Sequence, residues 1–226
     1  MDRCHVVLVA ISASAANALF ETFRRTRRAV TLGDVADIRS GVTLGRELRG
    51  PTISLPYLRV ANVQDGRLDL GVIKTVSILA DEREKWLLES GDVLLTEGGD
   101  WDKLGRGTVW NSEIPDCIHQ NHIFRVRLDR SRFEPPFVAA LTSSPYGRAY
   151  FADASKQTTN LASINQRQLR AFPLFDMPLP EQRRIVAYLD DLQAKVDRLK
   201  ALQVQTAAKL DALLPAILDQ AFKGAL

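Results

Sequence analysis

From Ile185 onward, apolar residues recur at alternating spacings of four and three: Ile185, Leu189, Leu192, Val196 and Leu199, then Leu210, Leu213 and Ile217. Polar Gln203 and Thr206 fill the seam between the two runs. This alternation keeps one stripe facing a neighbour over many turns, as in a supercoiling helix rather than an ordinary surface helix. The pattern predicts one helix over 181–214, roughly 50 Å long at 1.5 Å per residue, with a stripe that requires a partner helix. Its length matches the rise of about 15 base pairs at 3.4 Å each. The stretch before it, Phe172-Pro173-Leu174-Phe175-Asp176-Met177-Pro178-Leu179-Pro180, is kept extended by its prolines.

Upstream the patterns are shorter. Residues 57–60, 92–95, 107–110 and 122–128 read as strands, the last setting Ile123, Arg125 and Arg127 against Phe124, Val126 and Leu128 on opposite faces. Residues 137–142 and 165–169 read as short helices. At the start, the apolar run 6–16 continues through Leu19, Phe20 and Phe23 into Arg24, Arg25, Arg27 and Arg28. A secretory leader is the rival reading, with Ser12-Ala13-Ser14-Ala15 as its cleavage site, but Asp2-Arg3 supplies no net positive charge. A cytosolic amphipathic helix ending in a basic cluster fits better.

Glycine and proline set the domain boundaries, because 12 of 13 Gly and nine of ten Pro lie between 31 and 180. The expected organisation is a helical basic extension over 1–30, a turn-rich domain over 31–176 and a long helix over 177–226. The fold class is α+β, a mixed, β-rich domain followed by a coiled-coil-forming helix.

A content of 46% hydrophobic and 25% charged residues is that of a folded, water-soluble chain. Cys4 and Cys117 are too few for a disulfide framework, and a reducing compartment is the default. The net charge of +3 is local. Residues 1–30 carry five Arg against two acids, whereas 31–180 carry 18 basic side chains against 19 acidic ones. A neutral middle argues against indiscriminate polyanion binding and leaves room for a basic face balanced by an acidic one.

No catalytic constellation emerges. The cluster from Glu97 to Gly107 lacks the Lys-Ser/Thr of a phosphate loop and the Rossmann spacing, and reads as a flexible loop between strands. Cys117, His119 and His122 lack a second ligand pair, so no metal and no cofactor is expected. Asp81-Glu82-Arg83-Glu84-Lys85 resembles nuclease chemistry in composition, but a solvated helix face explains it. The Asn-Pro-Pro-aromatic and Phe-x-Gly-x-Gly motifs of adenine methyltransferases are missing.

Polar loops suited to base edges remain. Ser155-Lys156-Gln157-Thr158-Thr159-Asn160 is one, Asp102, Lys103 and Arg106 form a second, and Gln120-Asn121 a third. Arg presents two groups at the separation guanine needs, and Asn or Gln does so for adenine. Each loop alone is also an ordinary solvated turn. Convergence on one face would decide between the two.

At this point the order of features resembles the DNA-specificity subunit of Type I restriction-modification systems. The resemblance rests on Leu32-Gly33-Asp34-Val35, Gly41, Tyr57-Leu58-Arg59-Val60-Ala61-Asn62-Val63 and Gly91-Asp92-Val93-Leu94-Leu95, then Gln120-Asn121, Asn165-Gln166 and Leu169. It continues through Pro178-Leu179-Pro180-Glu181-Gln182 and Ile185 to Leu213-Leu214-Pro215 and Ala221-Phe222-Lys223-Gly224. The resemblance implies a non-catalytic, cytoplasmic prokaryotic protein that reads one half of a split double-stranded DNA target. In the family the full-length subunit carries two recognition domains and two antiparallel helices, and it docks methyltransferase subunits and, through them, the restriction subunit.

Two departures from the family pattern shape the expectation. One recognition domain and one helix make a half subunit, whose unpaired seam predicts a two-fold homodimer and a palindromic split target. A companion chain would instead give an asymmetric target. The 30-residue extension stays open between a further bundle helix, a phosphate-contacting arm and a remnant of gene rearrangement. Lys156, Gln157, Thr158, Asn160, Asp102, Lys103, Arg106, Gln120 and Asn121 are the expected base readers. Arg24, Arg25, Arg27, Arg28 and Arg59 are expected to contact phosphates. The alternative is a coiled-coil adaptor that bridges methyltransferase subunits without reading sequence. No membrane contact is expected.

Overall fold

A computed structural model of the chain describes residues 3–99, 104–157 and 162–223. In chain order these form α1 (Arg3–Thr26), β1 (Ala29–Thr31), α2 (Leu32–Val35), β2 (Ala36–Ser40), β3 (Thr52–Leu58), β4 (Val63–Gln64) and β5 (Arg67–Leu68). Next come β6 (Lys74–Leu79), α3 (Arg83–Trp86), β7 (Val93–Thr96), β8 (Gly98–Gly99), β9 (Gly107–Val109), β10 (Ile118–His119) and β11 (Ile123–Leu128). The last are α4 (Pro135–Ser143), α5 (Pro145–Ala154), β12 (Lys156–Gln157), β13 (Ala162–Ser163), α6 (Gln166–Arg170), β14 (Pro173–Phe175) and α7 (Leu179–Phe222). The class is α+β. Two compact units emerge, Ala16–Val186 and a second made of Met1–Ala15 with Ala187–Leu226. The first therefore reaches beyond the 31–176 of the sequence reading at both ends.

The larger unit is built on the four-stranded antiparallel sheet β2-β11-β7-β9. Its middle strands read Val-Leu-Leu-Thr and Ile-Phe-Arg-Val-Arg-Leu and are covered on both faces, so the alternation expected in β11 is not a wet face and a dry one. Arg125 is only 2% exposed and pairs with Asp37. Arg127 makes two 2.8 Å bonds to the carboxylate of Asp92, itself 1% exposed. Such charges survive burial only when paired and hydrogen-bonded.

A second sheet, β10-β3-β6, joins β3 to β10 in parallel, Tyr57 beside Ile118 and Leu58 beside His119. The strand expected at 57–60 begins earlier, and Val60–Asn62 turns as a 3₁₀ helix instead. The cause is buried Asn62, whose Oδ1 accepts from the Arg59 N–H at 2.9 Å and whose Nδ2 donates to the Asp69 and Val72 carbonyls. Gly41 is forced by close packing, since a Cβ there would lie 2.0 Å from the His119 carbonyl oxygen.

Aromatic side chains close the unit from the other side. Phe151 stacks on Phe172 with centroids 5.1 Å apart, Tyr150 meets Phe172 edge-on, and Tyr146 packs on Phe175. Phe20 and Phe23 of α1 join them against Phe137 and Phe175. Full burial of each such ring contributes roughly 1.5–3 kcal/mol. β1 then pairs antiparallel with β14, tying residues 29–31 to 173–175.

Gln182 fixes the start of α7. Fully buried, its Oε1 accepts from the Glu134 N–H at 2.9 Å, and its Nε2 donates to the Arg132 and Met177 carbonyls at 2.7 and 2.9 Å. From there α7 runs for 44 residues, past the 214 expected and through Pro215, which removes one backbone donor without ending it. Val196 is 3% exposed and Leu189 and Leu192 are half-buried, whereas Leu199, Leu210, Leu213 and Ile217 stand 42–62% exposed. Among the described residues no helix is long and apolar enough to cross a membrane.

Candidate nucleic-acid interface

The segment 96–99 is a junction of backbone hydrogen bonds. The Thr96 N–H donates to the Arg106 carbonyl at 2.8 Å, and the Glu97 N–H donates to the His122 carbonyl at 3.0 Å. The Glu97 carbonyl accepts from Ile164 at 2.9 Å. Gly98 and Gly99 then pair with Ser163 and Ala162, and the same strand β13 pairs on its other edge with Lys156 and Gln157. The loop expected over 97–107 is therefore a strand in part. A Cβ on Gly98 would lie 2.7 Å from the Ala162 carbonyl, so glycine is what lets β13 approach.

This three-stranded sheet, β12-β13-β8, brings together segments far apart in sequence. Gln157 and Gly99 both flank Ala162, one on each edge of β13. Residues 100–103 and 158–161 follow Gly99 and Gln157 in sequence. Those residues, including the expected base readers Asp102, Lys103, Thr158 and Asn160, lie outside the described residues. Lys156 and Gln157 are placed by their backbones on β12.

Gln120 and Asn121 enter the same neighbourhood through the turn between β10 and β11. The Gln120 N–H donates to Leu58 and the Asn121 N–H to Val42, both at 3.0 Å. Next to them, His122 is exposed, with Nδ1 2.7 Å from a Glu97 carboxylate oxygen. Arg106 points an Nη1 at Gln64 Oε1, 3.4 Å away. Arg59 directly follows Leu58 and gives its guanidinium to the Val72 carbonyl at 3.1 Å.

The basic cluster at the end of α1 and just after it lies elsewhere. Arg24 pairs with Glu21 at 2.9 Å, Arg27 with Glu181 at 2.6 Å, and Arg25 and Arg28 are exposed. These side chains flank the start of α7, and the structure does not bring them to the β8 junction. Glu97, His122 and Gln64 lie at this junction or touch its residues, and sequence reasoning did not place them among the base readers. No local signal marks them, because only non-local strand pairing carries them there.

The Cys117–His122 stretch has a plain physical account. Burial pushes the Cys117 thiol up to about 12, and burial pushes the His119 imidazole down to about 4. His119 gives its Nδ1 to the Ile123 carbonyl, 3.0 Å away. A carbonyl only accepts, so that nitrogen carries a proton, and burial keeps the ring neutral near pH 7. Among the described residues no group of three or more His, Cys, Asp or Glu is placed to hold a metal.

Among the described residues, this junction brings together 96–99, 106, 122, 156–157 and 162–164, segments distant in sequence, at loops and strand ends of the kind that carry binding residues on a packed core. Residues 27–206 match the family described as Type I restriction modification DNA specificity domain, and the chain belongs to that family. Among curated relatives it is 25% identical to the StySPI specificity subunit of Salmonella potsdam and 24% identical to the EcoKI specificity subunit of Escherichia coli strain K12. Each match covers 85% of this chain and 41% of the relative, so the chain spans under half the length of either. Among solved structures, the HsdS subunit from Thermoanaerobacter tengcongensis is similar over 98% of this chain and 54% of its own, with a TM-score of 0.58 and 25% identity. A chain from a study of type I R-M complex assembly shares the fold at a TM-score of 0.61.

Proposed function

We propose that the chain is a sequence-reading, non-catalytic specificity component of a Type I restriction-modification complex, acting on double-stranded DNA in a prokaryotic cytoplasm. The observation that carries this reading is the convergence of separate polar segments on the β8 junction within a member of the specificity family. Asp102, Lys103, Arg106, Gln120, Asn121, Lys156, Gln157, Thr158 and Asn160 read bases in the major groove. Arg59 and the arginines at and just after the end of α1 add phosphate affinity. A methyltransferase subunit docks on the chain and brings the restriction subunit with it.

The exposed stripe Leu199, Leu210, Leu213 and Ile217 pairs with the same stripe of a second copy. Two antiparallel α7 helices then hold two identical recognition domains apart, and the target is a palindrome split by a gap. The test is co-expression with the neighbouring methyltransferase subunit, followed by genome-wide mapping of methylated bases. A palindromic split motif is expected. An asymmetric motif would replace the homodimer with a companion chain. A stable complex without new methylation would leave an adaptor that bridges methyltransferase subunits without reading sequence.

A further inference from the structure

The short hairpin β4–β5 lies against the strand that follows residues 100–103, and the sequence motifs assign it nothing. The Gly66 N–H at its tip donates to the Gly107 carbonyl at 2.9 Å, which anchors the hairpin beside β9. Three consecutive features of this hairpin each set a guanidinium in place. Gln64 faces Arg106, Asp65 pairs with Arg148 of α5, and Arg67 itself stands exposed on the first residue of β5. Gln64 is in turn held by its Nε2 donating to the Ala61 carbonyl at 2.8 Å. Arg106 belongs both to this row and to the β8 junction, through the bond from Thr96, so the hairpin borders the candidate base-reading edge.

We propose that Arg67 and Arg148 form a phosphate-binding rail that grips the DNA backbone beside the base-reading loops, next to base-reading Arg106; the proposal rests on the DNA-reading function above. The Arg148 and Asp65 side chains are 38% and 43% exposed, so their pair is screened by water and readily exchanged. On DNA, Arg148 trades the Asp65 carboxylate for a phosphate oxygen, an anionic acceptor of the same kind. Asp65 thereby serves as a placeholder for the guanidinium in the free protein, while the Ser143 carbonyl, accepting from Arg148 Nε at 3.0 Å, holds the side chain in place. Guanidinium contacts to phosphate fix register and orientation and carry no sequence information themselves.

The test measures DNA affinity of the complex with its methyltransferase subunit across a range of potassium chloride concentrations. The two duplexes carry the mapped target or a scrambled sequence. For Arg67→Ala the expected result is weaker binding to both duplexes by the same factor, and a salt slope reduced by about 0.9 for the lost phosphate contact. Arg67→Ala with Arg148→Ala doubles that loss of slope, and Asp65→Asn tightens binding to both duplexes. Thermal melting confirms the fold. Should Arg148→Ala melt early, the exposed Arg67→Ala and Asp65→Asn variants carry the test alone. An unchanged slope in folded Arg67→Ala overturns the rail while leaving DNA reading intact. A loss confined to the target duplex overturns it in favour of base reading by the hairpin. Wild-type complex with no preference for the target overturns the reading on which the rail rests.

Discussion

His119 is enclosed by the β3–β10 pairing, with Gly41 packed against its ring and backbone and the Ile123 carbonyl accepting a hydrogen bond from its Nδ1–H. Burial holds its imidazole near 4, against an ordinary value of about 6.5. The unfolded chain therefore takes up a proton below pH 6.5 that the folded chain refuses until about pH 4. Stability from this residue is complete above roughly pH 6.5 and falls as pH drops toward 4, by at most about 3 kcal/mol. Urea unfolding across that window should show a shallower pH dependence in His119→Asn than in the parent, whatever the absolute stabilities. Equal slopes would show that the folded protein admits the proton. Residues of the family pattern share this structural character. Asn62 holds the turn after β3, Asp92 holds Arg127, Asn165 caps α6 by accepting from the Gln168 N–H at 2.9 Å, and Gln182 anchors α7. The sequence order that marks the family thus records mostly scaffold positions, and of the segments proposed to read bases only Gln120-Asn121 belongs to it.

At the scale of elements, α7 was legible because a four-three repeat is a property of the sequence alone. Where that stripe is covered and where it is bare was not, since it depends on what packs there: Val196 is 3% exposed and Leu210 62%. This difference decides where to cut the pairing. Charges at Leu192 and Val196 would damage packing already present in the chain, whereas Leu210→Glu with Leu213→Glu touches side chains that stand in water. Each buried leucine of a paired stripe contributes roughly 1.5–3 kcal/mol, and a buried unpaired carboxylate costs more. The double variant should therefore run as a monomer in light scattering where the parent runs as a dimer, with the near-ultraviolet signal of buried Trp110 unchanged. Parent and variant of equal mass would remove the homodimer. The strand Gly98–Gly99 is the opposite case, illegible because two glycines carry no alternation, and formed only because β13 can come close to them.

At the scale of the whole molecule, the candidate interface exists only through pairings that no window of sequence contains. Residues 96–99 meet 106, 122 and 162–164, and β3 meets β10 in parallel across some sixty residues of chain. What the sequence does carry at this scale is length. If paired α7 helices set the gap between half-sites, removing residues 200–206 shortens each helix by about 10 Å at 1.5 Å per residue. The deletion joins Leu199 to Ala207 and places Leu210 four positions after Leu199, so the apolar stripe stays in register and loses its polar Gln203 and Thr206. Pairing is thereby preserved or strengthened while the spacer contracts. At 3.4 Å per base pair the split target should keep both half-sites and lose about three base pairs from the gap. Mapping methylated bases in cells carrying the deletion reads this directly, and a gap of unchanged width would mean that something other than α7 sets the distance between the two recognition domains.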